Sequence, residues 1–168
     1  MAEKKWIKYE EVARYLLDEF ADKFGFSRFE PKQKIIGKRT GRPWEIDAKG
    51  VKDGSDIFIV VECRRYTSSR QSQGKMGSLA YLIQDTGASG GIIVSPLGVQ
   101  IGAKKIAELE NIHEVILDAN STTKNYVMKF LNEIVFGLND KIVIKDSVKI
   151  YVNDKNGDLV QKIEKDDD

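Results

Sequence analysis

From Gly91 to Ser95 the chain reads Gly-Ile-Ile-Val-Ser, an apolar run too short for a buried helix and bounded on both sides by segments with helical spacing. A strand without a polar face has to be covered on both sides, which is the situation of a strand inside a sheet with helices packed over it. Upstream, Met76, Leu79, Ala80, Leu82 and Ile83 keep helical spacing within residues 71–86 and stop at Gly-Ala-Ser-Gly-Gly. Downstream, PLGVQIGAKKIAELE reads as a helix, HEVILDA as a strand and TTKNYVMKFLNEIVFGL as a third helix, so strand and helix are expected to alternate.

The first half has a different rhythm. Val12, Leu16, Phe20 and Phe24 recur every fourth residue, predicting an amphipathic helix over residues 8–24 that ends at Gly25. Residues 28–36 read as a strand, followed by the basic, Gly-rich turn GKRTGRP. Residues 44–52 and 56–64 read as a hairpin of two strands around KDGS. Near the end, Val148, Ile150 and Val152 alternate before Asn156-Gly157, and residues 159–163 return. The expected fold is therefore α/β: a mixed β-sheet flanked by helices on both faces, with a C-terminal β-hairpin added. Residues 1–138 would form the body and residues 139–168 a hairpin extension with an acidic tail, within one globular unit.

Hydrophobic residues are 41% and charged residues 32% of the 168, which excludes disordered and collagen-like chains. The start, Met-Ala-Glu-Lys-Lys, leads into an amphipathic segment, so no secretory signal is expected. No apolar run is long enough for a membrane span. One cysteine rules out an internal disulfide and suits a reducing cytoplasm. One cysteine and one histidine also exclude a zinc site built from those ligands, so a metal here would be held by oxygen. The net charge is only +1, yet residues 30–75 hold eleven Lys or Arg against six Asp or Glu. That local excess suits either a solvated face or a nucleic-acid surface.

Acidic residues interrupt the apolar hairpin. Along a strand Glu45, Asp47 and Lys49 would share one face, and Glu62 and Arg64 another, so pairing of the two strands would let the acids converge. Converging carboxylates repel unless a proton or a divalent cation lies between them. Hard oxygen ligands suit Mg2+ or Mn2+, ions that phosphodiester hydrolysis uses to activate water and stabilise phosphate charge. The bland alternative is a set of cross-strand ion pairs on a solvated face. His113 reads as structural, Cys63 as a small core hydrophobe pointing away from the acids, and Trp44 and Tyr66 as packing residues rather than base-stacking ones.

Over residues 9–107 the chain resembles the Mrr-like branch of the PD-(D/E)xK nuclease superfamily, the restriction-endonuclease-like fold. YEEVARYLL looks like its opening helix, EIDAKG like its Ile-Asp strand and VVECRRY like its acid-x-Lys strand. GKMGSLAYLIQDTGASGGIIVSPLGVQIGAKKIAE looks like the helix, strand, Ser/Thr-Gly loop and Ala-rich helix that follow. The resemblance implies a Mg2+- or Mn2+-dependent DNA endonuclease, with RNA left open as a substrate and a homodimer suited to cutting two strands. Asp47 and Glu62 would be the catalytic acids and metal ligands, the Cys63 carbonyl a further ligand, and Glu10 the residue completing the shell. Arg64 stands where the family usually has Lys. Arg keeps the charge but is planar, bulky and never deprotonated, so it can clamp a phosphate and cannot act as a base. Lys49 or Lys75 would then have to reach in with an ammonium. Lys38, Arg39, Arg42, Arg65, Arg70, Gln73 and Lys75 would hold the nucleic acid. Two rival readings are a catalytically weakened binding module of the same fold, and an interaction protein that pairs through its C-terminal hairpin.

Overall fold

The computed structural model describes residues 9–65, 67–130, 133–138, 140–145, 148–153 and 159–165. Helix α1, Tyr9–Glu19, forms on the spacing of Val12, Ala13, Leu16 and Leu17, all buried. It ends before the periodicity does, because the chain tightens into a 3-10 turn at Ala21–Phe24 that Gly25 closes in the left-handed region at φ 76°. The hydroxyl of Tyr9 donates to the carbonyl of Leu117 at 2.7 Å, tying the start of α1 to a strand more than one hundred residues later.

The stretch expected as one strand over 28–36 is two: β1, Arg28–Glu30, and β2, Gln33–Ile36. Pro31 separates them, since it has no N–H to continue a ladder. The next expected strand also divides, at Asp47, into β3, Pro43–Ile46, and β4, Ala48–Val51. β2 and β3 form a two-stranded sheet of their own, whereas β4 pairs with β1 and with β5, Phe58–Cys63. The β4–β5 hairpin is as expected, with Gly54 at φ 72° in its turn.

Ser72 caps α2, Gln73–Thr86, by accepting a hydrogen bond from the Lys75 N–H, and Gly87 ends the helix at φ 76°. Then come β6, Gly91–Ser95, buried throughout, α3, Ile101–Leu109, and β7, Ile112–Leu117. β5, β6 and β7 are parallel neighbours, joined through α2 and α3. Ile59 and Val61 of β5 and Ile92 and Val94 of β6 pack in one core cluster with α1. Val60 and Ile93 belong to a second cluster with Met76, Leu79, Leu82 and Ile83 of α2 and Ala103 of α3. Neighbouring strand residues face opposite ways, so α1 and the α2–α3 pair pack against opposite sides of these strands. Each buried Ile or Val contributes roughly 1.5–3 kcal/mol by leaving water.

The third helix expected over 122–138 is overturned. The chain forms β8, Tyr126–Phe130, and β9, Glu133–Leu138, an antiparallel pair that continues to β10, Asp140–Lys145. The main sheet thus runs β1-β4-β5-β6-β7-β8-β9-β10. Burial along β8 alternates, with Tyr126 and Met128 inside and Val127 and Lys129 outside, a period of two that outweighs the coarse apolar density which suggested a helix. Tyr126 lies opposite Gly137 in β9. A Cβ at Gly137 would fall 2.0 Å from Cε1 of that ring, so the glycine is the seat of the tyrosine. Gly137→Ala should therefore cost about 1–3 kcal/mol through forced overpacking. In a domain of this size the melting temperature would fall by about 3–10 °C, followed by circular dichroism. An unchanged Tm would show that the ring moves aside freely.

The expected C-terminal hairpin is present as β11, Val148–Asn153, paired antiparallel with β12, Leu159–Lys165. Its turn and the acidic tail lie outside the described residues. Residues 140–145, assigned from sequence to the extension, belong instead to the main sheet as β10. Among the described residues no helix is long and apolar enough to cross a membrane.

Candidate functional site

Asp47 occupies the bend where the chain leaves one sheet for the other. Its N–H donates to the carbonyl of Val61 at 3.0 Å, and its Oδ2 accepts the N–H of Cys63 at 2.7 Å, so the acid is fastened to β5 on either side of Glu62. The last registered pair of the β4–β5 hairpin is Ala48 with Val61, and Asp47 and Glu62 are the residues that follow it on the two strands, near enough for the charge of Asp47 to act on Glu62. The hairpin thus leaves both acids at its open end. The companions expected on the same face have partners of their own. Glu45 pairs with Lys32 at 2.7 Å, and Lys49 lies over the Phe58 ring at 4.7 Å, a cation–π contact that occupies its ammonium.

Burial raises the pKa of Asp47, opposed by the Cys63 N–H and by Lys32, and reinforced by the charge of Glu10. Burial also raises that of Glu62, opposed by Arg64 and reinforced by Asp47. Burial thus makes both carboxylates more basic, and the charge of Asp47 adds to the effect on Glu62. Arg64 has its backbone N–H on the carbonyl of Val94 at 2.8 Å, extending the β5–β6 ladder, and its guanidinium on Glu62 Oε1 at 2.5 Å. Cys63 packs partly buried against the α1 core cluster, as expected of a small hydrophobe, and burial pushes its thiol pKa up. Among the described residues no three His, Cys, Asp or Glu side chains are set together to hold a metal ion. The carboxylates that the fold brings near one another are those of Asp47 and Glu62, with Glu10 near enough for its charge to act on Asp47.

The basic positions spread outward from there. The loop between β2 and β3 carries exposed Lys38, Arg39 and Arg42. Since β3 rises about 3.3 Å per residue, the loop stands roughly 13–17 Å from Asp47. Arg70, Gln73 and Lys75 are exposed around the start of α2. Arg65 is half-buried and donates through Nε to the carbonyl of Ala119 at 2.9 Å, a contact that anchors the chain after β5 to the segment after β7. Tyr66 lies outside the described residues. His113 is set edge-on to Phe24 with ring centroids 6.1 Å apart, in keeping with a structural role.

Sequence reasoning missed Asp85. Its buried carboxylate accepts from the Arg39 N–H at 2.9 Å, the Thr40 N–H at 3.0 Å, the Thr40 hydroxyl at 2.6 Å and the Trp44 indole at 2.6 Å. Its carbonyl accepts from the Lys38 N–H at 2.6 Å. The basic loop is thus fixed to the C-terminal turn of α2. The available signal was an acid in the last turn of a helix, where the dipole favours cations and an acid needs specific donors. The Thr40 hydroxyl foremost, then the other donors, hold the Asp85 carboxyl down at about 2. A depressed pKa stabilises the fold above the ordinary carboxylate range, and that stability is lost as pH falls from about 4 toward 2. Asp85→Asn should flatten the acid limb of Tm against pH in this window; an identical limb would remove Asp85 as its cause. Gln71 was also missed: it is fully buried, with neither side-chain polar atom hydrogen-bonded, while the nearby Gln73 expected at the site is exposed.

No protein-family model matches the chain, and no curated protein matches it. Among solved structures it is similar to the protein of unknown function AF1548, at 16% identity and TM-score 0.51, over 62% of this chain and 56% of that one. It is also similar to a repair endonuclease from Pyrococcus abyssi, at 22% identity and TM-score 0.39 over 69% of this chain and 50% of that one. A third is EndoMS in complex with double-stranded DNA, at 18% identity and TM-score 0.41 over 73% and 51%. The chain spans about half the length of these proteins. The likeness to AF1548 is one of fold, and each element that the family resemblance implied is present in order: α1, the β3–β4 segment, β5, α2, β6 and α3.

Proposed function

We propose that this chain is a divalent-metal-dependent DNA endonuclease of restriction or DNA-processing type, affiliated with the Mrr-like branch and working in the cytoplasm. The observation that carries the proposal is the fastening of Asp47 to Val61 and Cys63, on either side of Glu62, with Arg64 on Glu62. Both acids are pushed toward protonation by burial, and a cation between them would relieve that cost. The donor set suits Mg2+ or Mn2+, because Mg2+ is commonly held by one or two carboxylates and completes its shell with water and substrate phosphate. Asp47 and Glu62 would be its ligands, with the Cys63 carbonyl and Glu10 as additional oxygens. When bound, such an ion supplies water activation and charge stabilisation at the scissile phosphate.

The chain's own residues would do the rest. Arg64 lies two residues beyond the second acid and would clamp the phosphate, while Lys38, Arg39 and Arg42, held out by Asp85, would grip the backbone of the same duplex. Arg70, Gln73 and Lys75 offer a second exposed contact, and two copies of the chain would suit double-strand cutting. Supercoiled, linear and single-stranded DNA incubated with Mg2+, Mn2+ or EDTA tests the proposal: nicking with either metal and none in EDTA is expected.

A second reading is favoured by the Arg64–Glu62 pair itself. An arginine neutralising one of the two acids, where the family usually has lysine, is what a binding module with a disabled centre would carry. Such a module would bind DNA and leave it intact with every metal.

A further inference from the structure

We propose that Lys32 is a phosphate-facing cation of the acid site, supplying the compact ammonium that Arg64 does not, with Glu45 as its resting counter-ion; this rests on the nuclease reading above. The placement comes from register. In the β2–β3 hairpin Gln33 pairs with Ile46 and Lys34 with Glu45, so Lys32 and Asp47 follow the last pair on the two strands, near enough for their charges to act on one another. Asp47 therefore stands at the junction of two hairpins, beside the end of each, with Glu62 near it on one side and Lys32 on the other. The ammonium reaches diagonally to Glu45 Oε1 at 2.7 Å, on an exposed edge where both side chains are about half open to solvent, 47% and 55%. A diagonal neighbour two residues away is within reach of a long side chain, so Lys32 can exchange Glu45 for a ligand at Asp47 without moving the backbone.

Two nearby cations are committed elsewhere. Arg64 holds Glu62, and Lys49 is seated on Phe58. The field of Lys32 reaches both acids, favouring the ionised forms of Asp47 and Glu62. An exposed ion pair such as Lys32–Glu45 contributes little to stability, so it is easily exchanged for a phosphate oxygen. Glu45, on the same outer edge, would keep the ammonium from settling permanently on Asp47 and blocking the metal position.

The test combines Mn2+ titration calorimetry with single-turnover nicking of a supercoiled plasmid by wild type, Lys32→Ala, Lys32→Arg, Glu45→Gln and Asp47→Ala. Lys32→Ala should keep the wild-type Tm, bind Mn2+ a few-fold more tightly because a competing cation is gone, and cut on the order of tenfold more slowly at saturating DNA. Lys32→Arg should recover only part of the rate. Glu45→Gln, which frees the ammonium toward Asp47, should bind Mn2+ more weakly, the opposite sign. Unchanged Mn2+ affinity together with wild-type cleavage in Lys32→Ala would remove Lys32 from the site and leave the nuclease reading standing. A wild-type protein that neither binds Mn2+ nor cuts, and is indistinguishable from Asp47→Ala, would overturn both.

Discussion

Asp47→Ala and Glu62→Ala are each expected to slow metal-dependent cleavage at least about 100-fold, the scale on which loss of one group aimed at transition-state charge is felt. Either change leaves a single carboxylate at the junction of the two hairpins, too few to hold a hard cation against water. Mn2+ binding by calorimetry should disappear with the activity. Stability should move the other way for a neutral isostere. Burial raises the pKa of Glu62 despite Arg64, so above the ordinary carboxylate range the folded chain carries an ionised acid that it would rather protonate. By linkage, wild-type stability then declines as pH rises from about 4 through the raised pKa. Glu62→Gln is free of that term, so its Tm should equal or exceed that of wild type at pH 7, with the difference vanishing below about pH 4. Variants cutting at the wild-type rate with Mg2+ would place the centre elsewhere.

The parts of this protein that were legible in the sequence are those governed by local spacing. α1, α2, the buried β6 and the β4–β5 hairpin follow from apolar periodicity and from turn residues such as Gly25, Gly87 and Gly54. The hairpin itself was enough to leave Asp47 and Glu62 at its open end. What was not legible depended on partners distant in sequence. Nothing near Asp47 says that β3 pairs with β2 while β4 pairs with β1, which is why the partners of Glu45 and Lys49, the Lys32 ammonium and the Phe58 ring, were not foreseen. The β8–β9 pair was mistaken for a helix because YVMKFLNEIVFGL is apolar enough to satisfy either period, and the seating of Tyr126 on Gly137 exists only across strands. Asp85 acquires its meaning from donors more than forty residues away. Lys32 becomes a neighbour of the acids only once β2 has found β3.

Arg64 carries the last expectation, because it is both the phosphate clamp of the proposed centre and the residue that ties down Glu62. Arg64→Ala removes a charge aimed at the transition state, which typically costs about 3 kcal/mol, roughly 100-fold in rate. Arg64→Lys should match or exceed the wild-type rate. Its ammonium is compact and makes no bidentate clamp on a carboxylate, so Glu62 is released more readily for metal while the charge stays in place. Calorimetry should then show Mn2+ binding at least as tight in the lysine variant as in wild type. A protein retired from catalysis behaves differently: wild type is silent with every metal, and the lysine variant alone regains cutting. Cleavage rates of wild type, Arg64→Lys and Arg64→Ala separate these cases. Equal rates in all three would take Arg64 out of the mechanism and leave Lys32 as the cation nearest the two acids.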